Sequence, residues 1–129
     1  MEFENNVLFW QKLDTLVLSS TLIVERKKGS VHPKYPNLVY PCDYGYLKDT
    51  HSSDMGEIDV FVGTRQTAQT DTIIVAVDVL KKDAEVKVLL GCTQSEELAI
   101  LHFLNQTDFQ KTIILRRGTH LPSWAMSDN

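Results

Sequence analysis

The sequence predicts an α+β domain centred on a small antiparallel, OB-like β-barrel with helices packed outside. Short segments rich in β-branched residues follow one another along most of the chain, and two of them are joined by a short polar turn. Helical patterns occur only near the beginning and before the last strand. A length of 129 residues suits one domain, which we predict to span residues 1–129.

The first predicted elements are a helix, a strand and an irregular loop. A short amphipathic helix is expected from about Asn6 to Leu18, because apolar residues recur there at helical spacing. A strand is expected over Thr21–Arg26, followed by a turn at KKGS. The next segment, VHPKYPN, contains two prolines, which exclude a regular helix.

The remaining predicted elements are three strands, a helix and a last strand. The segment EIDVFVG alternates, so Ile58, Val60 and Val62 share one strand face, while Glu57, Asp59 and Phe61 share the other. TIIVAVDVLKK and EVKVLLG are expected to form a hairpin through the turn Lys82–Ala84. TQSEELAILHFLNQ is a helix with Thr93 or Ser95 as its cap, and KTIILRR is the last strand. No structure is predicted for the tail GTHLPSWAMSDN.

Composition and charge narrow the class of protein. The net charge of −4 provides no basic surface for nucleic acid, and no apolar run is long enough for a membrane helix. The acidic start MEFENNVLFW lacks the pattern of a signal peptide, so we expect a cytoplasmic protein without nucleic-acid or membrane partners. Cys42 and Cys92 are far apart and not in a CxxC pattern, so we expect two free, partly buried thiols.

Two groups of acidic residues are candidate metal ligands. Glu57 and Asp59 project from the same strand face, and Asp54 lies in the loop just before them. Converging carboxylates repel one another unless a cation neutralises them, and hard oxygen ligands suit Mg²⁺ or Mn²⁺. Asp83 and Glu85 form the second group, at the turn of the hairpin. The alternative in both places is an acidic surface in contact with water.

Cationic and phenolic side chains are candidate ligands for a phosphate substrate. A metal held by carboxylates commonly acts on phosphate, whose oxygens also bind to Lys, Arg or Tyr. The cationic candidates are Arg26, Lys27, Lys28, His32, Lys34, Lys87, Arg116 and Arg117. Taken singly, each of these cations is more typical of a solvated surface charge. Tyr40, Tyr44 and Tyr46 can present hydroxyl groups to an anion, although the residues alone favour the core for at least two of them.

The segment YPCDYGYL, followed by an acidic motif that leads into a strand, resembles the soluble, Mg²⁺-dependent inorganic pyrophosphatases of the barrel-fold type. Glu25 and Lys34 keep the family's spacing of a glutamate and a lysine nine residues later. DVLKKDAEVK resembles the family's next acidic stretch, which ends in acid-x-lysine. The resemblance covers roughly Glu25 to Gly91 and indicates a short, divergent member.

The resemblance implies a five-stranded barrel with a pyrophosphate site at one end, and it assigns roles to named residues. Catalytic roles fall to Asp59, Glu57 and Tyr44, and Mg²⁺, or Mn²⁺ as a substitute, supplies an activated water. The implied metal ligands are Asp54, Asp59, Asp83, Glu85 and Glu25. The implied substrate ligands are Lys34, Tyr40, Lys87 and Arg116. Family members assemble into oligomers, so the resemblance also implies a homo-oligomer.

This sequence departs from the family pattern at one catalytic position. In the motif DMGEID, Gly56 occupies the place of the middle acid, which is expected to help deprotonate the attacking water. Glu57 is the nearest substitute, although a shift of one residue on a strand turns the side chain to the other face. The hairpin that usually carries a phosphate-binding arginine is reduced to YPNLV, and Arg26, His32 or Arg116 are possible replacements.

The leading hypothesis is therefore a divergent inorganic pyrophosphatase that hydrolyses pyrophosphate to two phosphates. The alternative is a relative of the same fold that binds a metal-phosphate ligand without turnover or cleaves another diphosphate, such as a nucleotide. A barrel that binds single-stranded nucleic acid is a third hypothesis, and the acidic composition disfavours it.

Overall fold

A computed structural model describes residues 2–126 of the chain. Within that range the backbone forms two α-helices, six β-strands and a short 3₁₀ helix at Ser123–Met126. The elements in chain order are α1 (Val7–Leu18), β1 (Leu22–Arg26), β2 (Asp43–Leu47), β3 (Ile58–Val62), β4 (Thr72–Asp78), β5 (Asp83–Leu90), α2 (Gln94–Leu104) and β6 (Gln110–Arg116).

The six strands form one mixed sheet in the order β1-β2-β3-β5-β4-β6. Four of the pairings are antiparallel, but β3 and β5 run parallel, because β4 crosses to the far side of β5. The α+β prediction is confirmed, and the prediction of a purely antiparallel sheet is wrong at this pairing. Within residues 2–126 no ladder joins β1 to β6, so the closed barrel stays a prediction.

Both predicted helices are confirmed, and their first turns are capped by side chains. The Asn6 side chain accepts hydrogen bonds from the amides of Leu8 and Phe9 at the start of α1. At the start of α2, Thr93 and Glu96 form a reciprocal capping box. These local signals define the two helices independently of the sheet.

Two features of the sheet differ from the sequence prediction. The segment DYGYL was not predicted as a strand, yet it forms β2 between β1 and β3. Gly45 permits this close approach, because a Cβ atom there would lie 1.8 Å from the carbonyl oxygen of Ile23 on β1. The turn after β4 ends at Lys82, which has a φ of 56°, so Asp83 begins β5 instead of lying in the turn.

The two helices lie against opposite faces of the sheet, and each covers its own core. The core beside α1 contains Trp10, Leu47, Val60, Ile73 and Val88. The core beside α2 includes Phe61, Ile74, Leu89, Ile100 and Phe103, with the buried free thiols of Cys42 and Cys92. Since side chains alternate along β3, Asp59 lies on the same face as Phe61, which is the α2 face.

No helix in the described part of the chain is both long enough and apolar enough to cross a membrane.

Candidate active site

Three acidic side chains, Asp54, Asp59 and Glu85, form a carboxylate cluster on the α2 face of the sheet. Each offers an oxygen atom, and these atoms all lie within 4.8 Å of one another. Asp59 lies on β3, Glu85 on β5, and Asp54 in the loop before β3. The parallel pairing of β3 with β5 therefore brings together acids that are distant in the sequence.

Lys87 contacts two members of this cluster from β5. Its Nζ atom lies 2.9 Å from Oδ2 of Asp59 and 3.3 Å from Oε1 of Glu85. Burial favours the neutral amine, but the charges around it, including Asp59 and Glu85, outweigh burial and raise the pKa of Lys87. Lys87 is therefore a buried cation near pH 7, and its Nζ atom also lies 3.4 Å from the hydroxyl of Tyr44.

Glu85 has an unsatisfied carboxylate oxygen. The residue is 5% exposed, and its Oε2 atom has no hydrogen-bond partner. Burial raises the pKa of Glu85, because a buried carboxylate is poorly solvated, and Lys87 opposes this effect only in part. A buried oxygen without a partner is a free ligand position.

The composition of the site fits a divalent cation. With all groups ionised, the three carboxylates and the Lys87 ammonium leave a net charge of −2. Carboxylate oxygens are the ligands preferred by hard divalent ions, and the free Oε2 atom of Glu85 can accept one. The carboxylate cluster can therefore hold such an ion, which would relieve the repulsion among its members.

The tyrosines predicted from the YPCDYGYL motif lie beside this cluster. Burial raises the pKa of Tyr44, so its phenol stays protonated and can donate a hydrogen bond. Tyr40 is buried, and its hydroxyl accepts a hydrogen bond of 2.7 Å from Nη1 of Arg26. The guanidinium carbon of Arg26 lies 5.5 Å from the centre of the same ring. This contact orients a cation that a phosphate could bind.

A cavity of about 380 Å³ opens on this face of the sheet. Asp59, Glu85, Lys87 and Tyr44 line its polar part, together with Arg26, His32, Lys34, Asp78 and Lys81. Lys34 is exposed, so its amine can move toward a bound anion. The rest of the wall is largely apolar and aromatic, and includes Tyr35, Leu38, Phe61, Leu80, Phe103 and Phe109.

Three acids that the sequence proposed lie outside the carboxylate cluster found within residues 2–126. The Glu57 carboxylate accepts a hydrogen bond of 2.7 Å from the amide of Asp49, so it supports the loop before β3. Glu25 lies 3.6 Å from Arg26 in an exposed ion pair. Asp83 lies at the start of β5, because the turn before it ends earlier than predicted.

Arg116, proposed as a substrate ligand, lies beside a different cavity. Its Nη1 atom is 2.6 Å from Oε1 of Glu97, and the second carboxylate oxygen of Glu97 accepts a bond of 2.7 Å from Thr72. This cavity of about 460 Å³ is lined by residues of β4, α2 and β6, among others, and shares no lining residue with the one beside the carboxylate cluster.

Gly56 leaves space beside the carboxylate cluster. Its amide donates a hydrogen bond of 3.0 Å to Oδ1 of Asp54, and a Cβ atom added to Gly56 would lie 3.3 Å from that oxygen. Asp54 is exposed, so its side chain could shift to admit a larger residue. The position of the missing acid is therefore next to the cluster.

Sequence reasoning missed Asp78 and Phe109, which also line the cavity. Asp78 is buried at the end of β4, where its Oδ1 atom accepts hydrogen bonds from the amides of Leu80 and Lys81. The alternation of TIIVAVD places Asp78 on the same face as Ile74, so the pattern contained this signal. Phe109 comes from a loop whose position only the tertiary structure determines.

Part of the sequence matches a model of a known protein family. The sequence model described as inorganic pyrophosphatase matches residues 17–82, which is half of the chain. The match ends before Glu85 and Lys87, which the structure adds to the site. None of the proteins with curated descriptions matches the sequence.

Solved structures share the fold at low sequence identity. The chain is similar to an inorganic phosphatase from Anaplasma phagocytophilum, with 16% identity and a TM-score of 0.51. It is also similar to an inorganic pyrophosphatase from Helicobacter pylori, with 14% identity and a TM-score of 0.50. Each alignment covers 74% of this chain and 81% of the other. At such low identity the similarity concerns the fold alone.

Proposed function

The chain belongs to the inorganic pyrophosphatase family. We propose that it hydrolyses pyrophosphate to two phosphate ions in the cavity beside the carboxylate cluster, with Mg²⁺ as the activating ion. The observation that carries the proposal is the convergence of Asp54, Asp59 and Glu85 beside the buried cation Lys87. An assembly of this kind can bind a metal and a highly charged phosphate substrate together.

The carboxylate cluster would hold Mg²⁺, or Mn²⁺ in its place. When bound, the ion supplies positive charge to the substrate and lowers the pKa of a water molecule. The free Oε2 atom of Glu85 is the best available ligand, because binding there removes the cost of an unpartnered buried oxygen.

The cationic and phenolic side chains of the cavity would bind the substrate. Lys87, Arg26 and Lys34 can each contact phosphate oxygens, and protonated Tyr44 can donate a hydrogen bond to one of them. These donors would also stabilise the charge that develops on the leaving phosphate. Lys87 is especially suited to this role, because its neighbours keep it in the charged form.

The proton of the attacking water has few acceptors near the cluster. Gly56 carries no carboxylate, and Glu57 is already bonded to the amide of Asp49. Asp54 is exposed beside Gly56 and is the nearest alternative acceptor. Turnover should therefore be slow, and this feature favours a second candidate function, which is binding of a metal-diphosphate complex without hydrolysis.

Phosphate release from pyrophosphate tests the proposal directly. We would measure it with Mg²⁺, with Mn²⁺ and with chelator, for the wild type, for Asp59→Asn and for the matched control Asp71→Asn, whose carboxylate pairs with Arg65 elsewhere. Mutation of a residue that only supports a metal ligand typically lowers metal affinity or activity about 10- to 100-fold. Loss of the ligand Asp59 itself should therefore lower turnover by more than about 100-fold. The control should keep its activity.

Two results would oppose the proposal. Equal turnover by Asp59→Asn and the wild type would remove Asp59 from the mechanism. A folded wild type that is stabilised by Mg²⁺ and pyrophosphate but releases no phosphate would favour the second candidate function.

A further inference from the structure

The cavity beside the carboxylate cluster has an aromatic and apolar wall that pyrophosphate binding does not require. Tyr35, Leu80 and Phe109 line it together with the core residues Leu38 and Phe103. Pyrophosphate has no apolar surface, so contact with these side chains would not remove any apolar ligand surface from water. A wall of this kind is typical of sites that bind an organic group beside a few well-placed polar side chains.

The rings of this wall come from two distant parts of the chain. Tyr35 lies in the loop after β1, Phe109 lies between α2 and β6, and their ring centroids are 6.0 Å apart. The ring of His32 is 5.0 Å from that of Tyr35 and stacks on Tyr40 at 6.0 Å with an interplanar angle of 8°. Four rings thus form a continuous aromatic surface.

Part of this aromatic surface is open to a ligand. Tyr35 is 38% exposed, and Leu80, which lines the same cavity, is 68% exposed. Burial, assisted by the nearby charge of Arg26, lowers the pKa of His32, so its ring is neutral near pH 7. Neutral and partly exposed rings suit stacking against a planar group.

Cationic side chains line the same cavity. Arg26 is held by its hydrogen bond to Tyr40, and Lys34 and Lys81 also line the wall. A ligand that combines a planar ring with phosphate groups would therefore find partners for both parts. The cavity volume of about 380 Å³ lies within the range of roughly 300–1,000 Å³ that is common for organic ligands.

We propose that the site accepts nucleoside diphosphates, with the base against Tyr35 and Phe109 and the terminal phosphate toward Lys87 and the carboxylate cluster. This inference rests on the proposed function, since it extends the same hydrolysis to a larger substrate. The water oxygen forms a bond to the terminal phosphorus, and the bond from that phosphorus to the bridging oxygen breaks. The bridging oxygen leaves with its electron pair on the nucleoside monophosphate, one water proton passes to an acidic side chain and then to solvent, and the other stays on the released phosphate.

Three substrates and two variants test the inference. Pyrophosphate, ADP and methyl diphosphate, which lacks a ring, would be compared with Mg²⁺ for the wild type, for Tyr35→Ala and for Phe9→Ala. Phe9 is a suitable control, because it is 50% exposed on α1 and lies outside the cavity. Stacking on an aromatic side chain contributes about 1–3 kcal/mol per base by alanine substitution, so Tyr35→Ala should raise the KM for ADP about tenfold more than that for either ringless substrate. Phe9→Ala should leave all three values unchanged.

The outcomes separate this inference from the proposed function. Turnover of pyrophosphate without turnover or binding of ADP would overturn the inference and leave the proposed function intact, as would equal effects of Tyr35→Ala on ADP and on methyl diphosphate. If no substrate is hydrolysed, thermal stabilisation by Mg²⁺ and ADP is measured instead. Stabilisation that Tyr35→Ala weakens and Phe9→Ala does not would support the ligand class while opposing hydrolysis, and its absence would overturn both.

Discussion

Glu85 and Glu97 are both 5% exposed, yet their surroundings differ in a way that separates a functional site from a structural one. The two carboxylate oxygens of Glu97 each have a partner, one in Arg116 and the other in Thr72. Glu85 contacts Lys87 through Oε1, while its Oε2 atom has no partner. One buried acid is therefore satisfied by the fold, and the other is left with an open ligand position.

Burial has a different energetic consequence for Glu85 than for Glu97. A buried carboxylate is stabilising only when its hydrogen bonds replace those it loses with water. Glu97 meets that condition and connects α2 with β4 and β6. Glu85 does not meet it, so the fold retains an unfavourable group, which is expected at a site where a cation or substrate supplies the missing contact.

The same substitution at both positions provides the strongest test of this comparison. Glu85→Gln should lower phosphate release more than about 100-fold, because it removes a metal ligand. It should leave the free energy of unfolding within about 0.5 kcal/mol of wild type, because it also removes an unsatisfied buried charge. Glu97→Gln should lower the free energy of unfolding by about 1–2 kcal/mol. This is less than the loss expected for a fully buried ion pair, because the Arg116 side chain is exposed to solvent. The variant should keep full activity.

Denaturant unfolding, with and without Mg²⁺, and phosphate release measure both variants. Mg²⁺ should stabilise the wild type and Glu97→Gln, but not Glu85→Gln. An active Glu85→Gln, or an inactive but folded Glu97→Gln, would contradict the distinction between the two residues.

Gly56→Asp would add a fourth carboxylate beside the cluster that contains the unsatisfied oxygen of Glu85. The new side chain would lie beside Asp54 and could accept the proton of the attacking water. We expect kcat to rise about tenfold, below the usual range of general-base catalysis, because Asp54 must move to make room. Gly56→Asn is the matched control, since it adds the same volume without a base, and an equal rise in both variants would contradict the explanation.

The smallest expected effect concerns Asp14, a second satisfied acid. Its hydrogen bond with Arg117 lowers the pKa of Asp14, against a smaller opposing effect of burial, and the Thr70 amide adds to the lowering. A lowered pKa stabilises the folded state above the ordinary pKa of about 4, and this contribution is lost as the pH falls through the folded value. Asp14→Asn should therefore reduce stability by less than about 1 kcal/mol at pH 7 and by still less near pH 2.

Denaturant unfolding at several pH values measures this change. Asp108→Asn, at an exposed position, serves as the control. A destabilisation by Asp14→Asn that grows as the pH falls would have the wrong sign.

Local signals in the sequence predicted the helices and part of the site. The α2 cap is one example, since Thr93 and Glu96 interact within one turn. Alternation predicted that Asp59 lies on a defined strand face, and the structure places it beside Lys87. Alternation also placed Glu57 on that face, but β3 begins at Ile58, so Glu57 belongs to the loop and bonds there.

Non-local pairing could not be predicted from these patterns. Periodicity indicates which face of a strand is buried, but it does not indicate the neighbouring strand or its direction. The sequence therefore left both Asp83 and Glu85 as candidate metal ligands, and only the parallel pairing of β3 with β5 shows that Glu85 meets Asp59. For the same reason, periodicity could not predict that Arg116 lies beside Glu97.

The parallel pairing also bears on the order of events during folding. It joins the half β1-β2-β3 to the half β5-β4-β6, and its ladder consists of Val60 with Val88, Phe61 with Leu89 and Val62 with Leu90. These pairs join residues 28 positions apart, whereas the antiparallel pairs join residues at most 19 apart in β2-β3 and at most 17 apart in β4-β5. Loop closure is therefore more costly for the parallel pairing, and we expect it to form after these two hairpins. An ion bound between Asp59 and Glu85 would then stabilise a contact that forms only after the folding transition state. It would slow unfolding without accelerating folding.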